Sequence, residues 1–170
     1  MSEVSWGLLG NIASNGCGVI AAYNVLLSTD SNTNFGKVKN QLEAYGAALA
    51  FGKLGASPFA LAQYMRSKFW FVHTAGAFTY LWGAKAELSQ SVIVLIKWGD
   101  GLQMHYIAGI GTGTGGKGGS FRFYNSGLRD KKGKSIDGKP MSIWTFLDYV
   151  KSNGATPEYL IGVSCKKWWC

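Results

Sequence analysis

The hydrophobic pattern changes period near residue 70, and that change restricts the architectures open to the chain. Ahead of it, Val19, Ile20, Tyr23, Leu26 and Leu27 fall close to the i, i+3, i+4, i+7 spacing that buries one face of a helix, which predicts a first helix over residues 16–28. Asp30 to Asn34 supplies a turn and cap, Phe35 to Tyr45 a second helix, and Gly52-Lys53-Leu54-Gly55 a break. Ser57-Pro58 then offers an N-cap with proline at the first helical position, opening a third helix over Phe59 to Phe69 with Leu61, Ala62, Met65 and Phe69 inward. Beyond residue 70, Trp70 to His73 and Ser91 to Trp98 are rich in β-branched and aromatic residues and predict strands. Gly99-Asp100-Gly101 turns the chain into a strand beginning near His105, and Phe121 to Asn125 is its expected hairpin partner. A late helix, Ile143 to Lys151, and a final strand, Tyr159 to Cys165, complete the pattern. Helices first and antiparallel strands afterwards predict α+β organisation.

At 170 residues and 47% hydrophobic the chain can bury a core and suits one domain, residues 1–170. Three prolines and 14% aromatics argue against disorder, and the 24 glycines follow no collagen-like period. The formal charge of +8 admits an acidic protein partner, and nucleic acid is not expected. Much of that charge is local: Arg129, Lys131, Lys132, Lys134 and Lys139 share one segment, and Lys166-Lys167 precede Trp168-Trp169. A solvated loop and a polar end account for both clusters. The N-terminus lacks a basic region followed by an apolar run, and no stretch is long and apolar enough to span a bilayer, so the expectation is a cytoplasmic protein as encoded, or one released or delivered as an effector.

Cys17 lies in Ser14-Asn15-Gly16-Cys17-Gly18, at the start of the first helix. There the positive end of the helix dipole favours the thiolate, the form that attacks carbonyl carbon. The chain has two histidines, and His105 opens a strand whose partner reaches Asn125. Cys17, His105 and Asn125 therefore stand in the order nucleophile, base, orienting residue, with the Asn125 side-chain amide expected to fix the imidazole. Asn11 is a candidate oxyanion-hole donor beside the Cys17 main-chain N–H. Each also has an ordinary structural explanation: Cys17 as a small buried hydrophobe, His105 as a core histidine, Asn125 as a turn residue.

Other motifs carry less chemistry. Gly111, Gly113 and Gly116 satisfy GxGxxG, and Lys117 brings the segment near a P-loop, but Gly118 stands where Ser or Thr should hold magnesium. A strand follows where phosphate binding needs a helix N-terminus, so this is a hairpin loop that could flank the cleft beside His105. His73 has no ligand-spaced neighbours, and no metal or other cofactor is implied. Three cysteines leave at least one thiol free. Cys165 and Cys170 could pair or remain reduced, and a reducing compartment is the simpler expectation. Trp168-Trp169 fits closure over a core edge better than a membrane anchor.

Asn15-Gly16-Cys17-Gly18 through Tyr23-Asn24, Gly55 to Ala62, His105-Tyr106 after a Val/Ile-rich strand, and Phe123-Tyr124-Asn125 together resemble the papain-like cysteine peptidases. Within them the chain is most similar to the short bacterial C39-like peptidases of the bacteriocin-processing type. The resemblance spans residues 11 to 127 and implies N-terminal helices, with the nucleophile at a helix N-terminus, packed on an antiparallel sheet. It carries the nucleophile, base and orienting roles to Cys17, His105 and Asn125 and the oxyanion-hole side chain to Asn11. Asn11 replaces the glutamine usual in such peptidases, and Asn125-Ser126 stands where the C39-like pattern has aspartate, often followed by proline. The implied activity is cleavage of a peptide or protein substrate through an acyl-enzyme. A papain-fold deamidase or transglutaminase-type toxin effector, and a catalytically inactive binding module, are the alternatives.

Overall fold

The computed structural model describes residues 4–77, 79–99, 103–113 and 119–166. The chain opens with a small ribbon, β1 (Ser5–Trp6) and β2 (Gly10–Asn11), followed by the single turn α1 (Ile12–Asn15) and the helix α2 (Cys17–Thr29). Then come α3 (Phe35–Ala44), a short 3-10 turn at Leu49–Gly52, α4 (Pro58–Lys68) and β3 (Phe69–Ala75). The short helix α5 (Trp82–Glu87) precedes β4 (Ser91–Trp98), β5 (Gln103–Gly111), β6 (Phe121–Tyr124) and β7 (Pro140–Met141). The helix α6 (Ile143–Ser152) and β8 (Ala155–Lys166) close the order.

The helix starts are written in the sequence. Asn34 and Ser57 accept from the third N–H of α3 and α4, and Ser142 does the same for α6, each satisfying a donor that a helix leaves unpaired. Pro58 sits in the first turn of α4, where its missing N–H costs nothing. The buried stripe of α2 differs from the expected one. Val19, Ala21, Ala22, Val25 and Leu26 face inward, Ile20 and Tyr23 are half-buried, and Leu27 is exposed. The small Ala21 and Ala22 let α2 pack closely, so the contact face rotates toward them. Phe69 is buried as expected, but as the first residue of β3.

Among the described residues the main sheet is antiparallel, in the order β3-β8-β4-β5-β6-β7. The expected β5–β6 hairpin is present, pairing Ala108 with Tyr124. The C-terminal strand β8 inserts between β3 and β4, which the sequence pattern did not indicate. Central β4 is buried on both faces, which explains why its apolar run does not alternate with polar residues. Ile93 and Leu95 face a core shared with α2 and α4, together with Tyr106, Ile161 and Val163. Val92, Val94 and Ile96 face a second core containing Trp82 and Phe146. There Phe123 stacks on Phe146 at 3.8 Å between centroids. Helices packed on both faces of an antiparallel sheet are the α+β organisation expected.

Two further expectations are altered or left aside. Cys165 is disulfide-bonded, so neither a reduced chain nor a buried free thiol describes that position. Gly111 to Gly118 and Lys166 to Cys170 lie largely outside the described residues. No helix among those described is long and apolar enough to cross a membrane.

Candidate active site

Cys17 is the free cysteine among the described residues, half-buried at the first position of α2. Its cap, Gly16, has no side chain to compete for the helix's leading N–H groups. A Cβ at Gly16 would meet the Ile12 backbone at 2.7 Å, and one at Gly18 would lie 2.6 Å from the Ala56 Cβ and 3.3 Å from the Tyr106 ring. Both glycines that flank the thiol are therefore required by close approach. Gly18 brings α2 against β5 and against the loop that forms one wall of the cleft.

That wall is tied down from three directions. The Asn15 amide donates to the carbonyls of Gly52 at 2.9 Å and Lys53 at 2.8 Å. Trp6 Nε1–H donates to Gly55 O at 3.1 Å, and the buried Tyr106 hydroxyl donates to Ala56 O at 2.8 Å. Burial pushes the Tyr106 phenol far above its ordinary range, with the Cys17 and Tyr159 charges adding to it, so the hydroxyl remains a donor. The result is an open cleft of about 720 Å³ over Cys17 and His105, with Leu49, Leu54, Trp98 and Met104 on its sides. A second, more apolar recess of about 300 Å³ adjoins it, reaching from Cys17 past Pro58 and Leu95 to Tyr159.

His105 stands on β5 opposite Ile96 of β4, and its ring lies 6.2 Å from that of Trp98. Its Nε2 is 2.5 Å from the main-chain carbonyl of Asn125. A carbonyl only accepts, so Nε2 carries the proton, and Nδ1 is the nitrogen left for Cys17. Burial pushes the Cys17 thiol up, but the hydrogen bond with His105, the Tyr106 main-chain N–H, the His105 charge and the Gly18 N–H together outweigh it. The thiol is held below its ordinary value of 9.0. For His105, burial pulls the imidazole down. The hydrogen bonds with Cys17 and Asn125 and the charges of Cys17 and Asp137 reverse that, and the ring is raised above 6.5. The two shifts run in the directions that favour a thiolate–imidazolium pair.

The expected residues are thus brought together unequally. Cys17 and His105 line the same cleft, close enough for each to shift the other's ionisation. Asn125 is adjacent, but through its carbonyl and not through its side-chain amide, for which no hydrogen bond is found among the described residues. Asn125 has φ +58°, a left-handed conformation that asparagine tolerates better than other side chains, so the turn itself accounts for the residue type. Asn11 is exposed and caps α1, accepting from Ser14 N–H and Ser14 Oγ–H, both at 2.9 Å, and it does not line the cleft. The α1 turn separates it from Cys17.

Sequence reasoning missed Asp137, which accepts from the main-chain N–H of Ser126 at 3.1 Å and from the Ser126 hydroxyl. Its neighbour Ile136 is fully buried, and an apolar residue inside so basic a segment was the available signal that the segment packs inward. Among the described residues no group of three or more His, Cys, Asp or Glu is arranged to hold a metal.

No protein-family model matches the chain, and neither does the sequence of any curated protein. Among solved structures, it is similar to the peptidase domain of Streptococcus ComA, a bi-functional ABC transporter involved in a quorum sensing pathway. The identity is 16% and the TM-score 0.48, over 94% of this chain and 100% of that one.

Proposed function

We propose that the protein is a papain-like thiol hydrolase, a cysteine peptidase of C39-like type formed by one domain, which cleaves a peptide or amide bond through an acyl-enzyme. The observation that carries this reading is the Cys17–His105 pair, half-buried at the floor of an open cleft, with the thiol lowered and the imidazole raised. The Cys17 sulfur attacks the scissile carbonyl carbon, and His105 gives its proton to the leaving amine as the C–N bond breaks. Water then attacks the thioester, His105 takes a proton from it, and the thiolate leaves as the acid product forms. Asn125 orients the ring through its carbonyl. The developing oxyanion would lie near the start of α2, whose leading N–H groups no side chain caps, while Asn11 is committed to capping α1. The cleft and the apolar recess meet at Cys17, which suits an extended segment with an apolar side chain on one side of the cut.

The test is the alkylation rate of Cys17 against pH, read by peptide mass spectrometry, for the native chain and for His105→Ala. The thiol is lowered, so reactivity sets in below pH 9.0. The imidazole is raised, so its charge persists above pH 6.5 and is lost as pH rises through its shifted value. His105→Ala should return the onset to the ordinary value of 9.0 or above it, since burial is then opposed by fewer groups, and reduce the rate at pH 6 by at least about tenfold. An unchanged profile would remove the basis for the catalytic reading and favour a binding module.

A further inference from the structure

The peptide group joining Asn125 to Ser126 is used at both ends. Its carbonyl accepts from His105 Nε2–H at 2.5 Å, and its N–H donates to the Asp137 carboxylate at 3.1 Å. In a trans peptide these two groups point in opposite directions, so one rigid plane spans the gap between carboxylate and imidazole. Ser126 locks that plane. Its side chain is fully buried, its hydroxyl donates to the same carboxylate oxygen, and its Oγ accepts from Leu128 N–H at 3.2 Å.

We propose that Asp137 is the positioning residue of this site, acting on His105 through the Asn125–Ser126 peptide group. This rests on the thiol-hydrolase reading above and adds a role to it. A carboxylate pulling on the N–H end of a peptide makes its carbonyl a better acceptor, since hydrogen bonds in a chain polarise one another. The carbonyl then holds the Nε2 proton more firmly, and the negative charge favours imidazolium. Ser126 fixes the plane while Asp137 supplies the charge. Among the described residues the charged or titratable groups acting on His105 are Cys17 from α2 and Asp137 from the segment before β7. Lys53 lines the same cleft, and Trp98 and Asn125 are uncharged.

Asp137→Asn separates charge from geometry, because the amide oxygen can still accept both Ser126 hydrogen bonds. Asp137 is exposed, so the variant should fold, which near-ultraviolet circular dichroism checks. The readouts are the His105 ring titration by NMR and the pH profile of Cys17 alkylation. Asp137→Asn should lower the His105 midpoint by a few tenths of a pH unit to about one unit and slow Cys17 alkylation near neutral pH, where less imidazolium then faces the thiol. Asp137→Glu should recover at least half of that shift. In the native chain, 1 M salt should move the His105 midpoint the same way as Asp137→Asn, since screening at about 3 Å leaves little of an exposed charge's reach. If Asp137→Asn leaves the His105 midpoint and the Cys17 rate near neutral pH in place while His105→Ala still slows Cys17 alkylation at pH 6, the relay is refuted and the hydrolase reading stands. If His105→Ala itself has no effect, both fall.

Discussion

Replacing Asn125 with glycine distinguishes a main-chain orienter from a side-chain one. The substitution deletes the amide and keeps the carbonyl that lies 2.5 Å from His105 Nε2, and glycine adopts φ +58° without strain. If the side chain oriented the imidazolium, its loss would cost about 1.5–3 kcal/mol, the usual range for a hydrogen bond to a charged group, or roughly 10- to 150-fold in Cys17 reactivity. With the carbonyl in that role, the alkylation rate at pH 6 should stay within about threefold of native. Thermal stability should change little, because relief at a left-handed position offsets the greater freedom of glycine in the unfolded chain. Asn125→Val is the opposing control: a β-branched residue at this φ should cost about 1–3 kcal/mol in denaturant unfolding and disturb the carbonyl along with the turn. A loss of more than tenfold in Asn125→Gly, with the near-ultraviolet spectrum intact, would refute the main-chain assignment.

Two further substitutions probe how α2 and the cleft wall are held. Gly18→Ala places a methyl 2.6 Å from the Ala56 Cβ and should destabilise by about 1–3 kcal/mol in urea unfolding, also slowing Cys17 alkylation as α2 retreats from β5; a neutral effect would show that the 55–56 wall yields freely. Tyr106→Phe removes the buried 2.8 Å bond to Ala56 O and should cost about 1–3 kcal/mol, with hydrogen exchange rising in residues 49–56; unchanged exchange there would remove Tyr106 from the account of that wall.

Much of this was legible locally. Ser57-Pro58 and the β-branched run from Ser91 to Trp98 specify their elements with neighbours only, and each forms where expected. A six-residue helix such as α5 is too short to show a period and has no side-chain cap, so it left no comparable signal. The insertion of β8 between β3 and β4 depends on partners far away in sequence, which no local pattern encodes. The same division runs through the site. Cys17 and His105 were candidates from residue type and local context, and the fold brings both to one cleft. The role of Asn125 depends on which of its atoms faces His105, and that is fixed by a backbone angle at the end of β6. Asp137 was obscured by Lys131, Lys132, Lys134 and Lys139, although Asp130 draws that segment into a turn by accepting from Lys132 N–H, Lys134 N–H and Lys139 Nζ.

The energetics of the pair explain why so much structure surrounds two side chains. Burial opposes the charge on both, and it is the largest single influence on each. Neither charge would persist alone in that position, because a half-buried ion without a partner reverts to its neutral form. The thiolate form is favoured by His105 and by two main-chain N–H groups, and the imidazolium form by Cys17, a carbonyl and a carboxylate behind it. Apart from the two side chains of the pair and Asp137, the supporting donors and acceptors are backbone atoms, whose positions follow from the meeting of α2, β5 and the turn after β6. The site is therefore sensitive to glycines that permit close approach and to the turn at Asn125, and comparatively tolerant of losing the Asn125 side chain. That asymmetry is the opposite of what a triad built from three side chains would show.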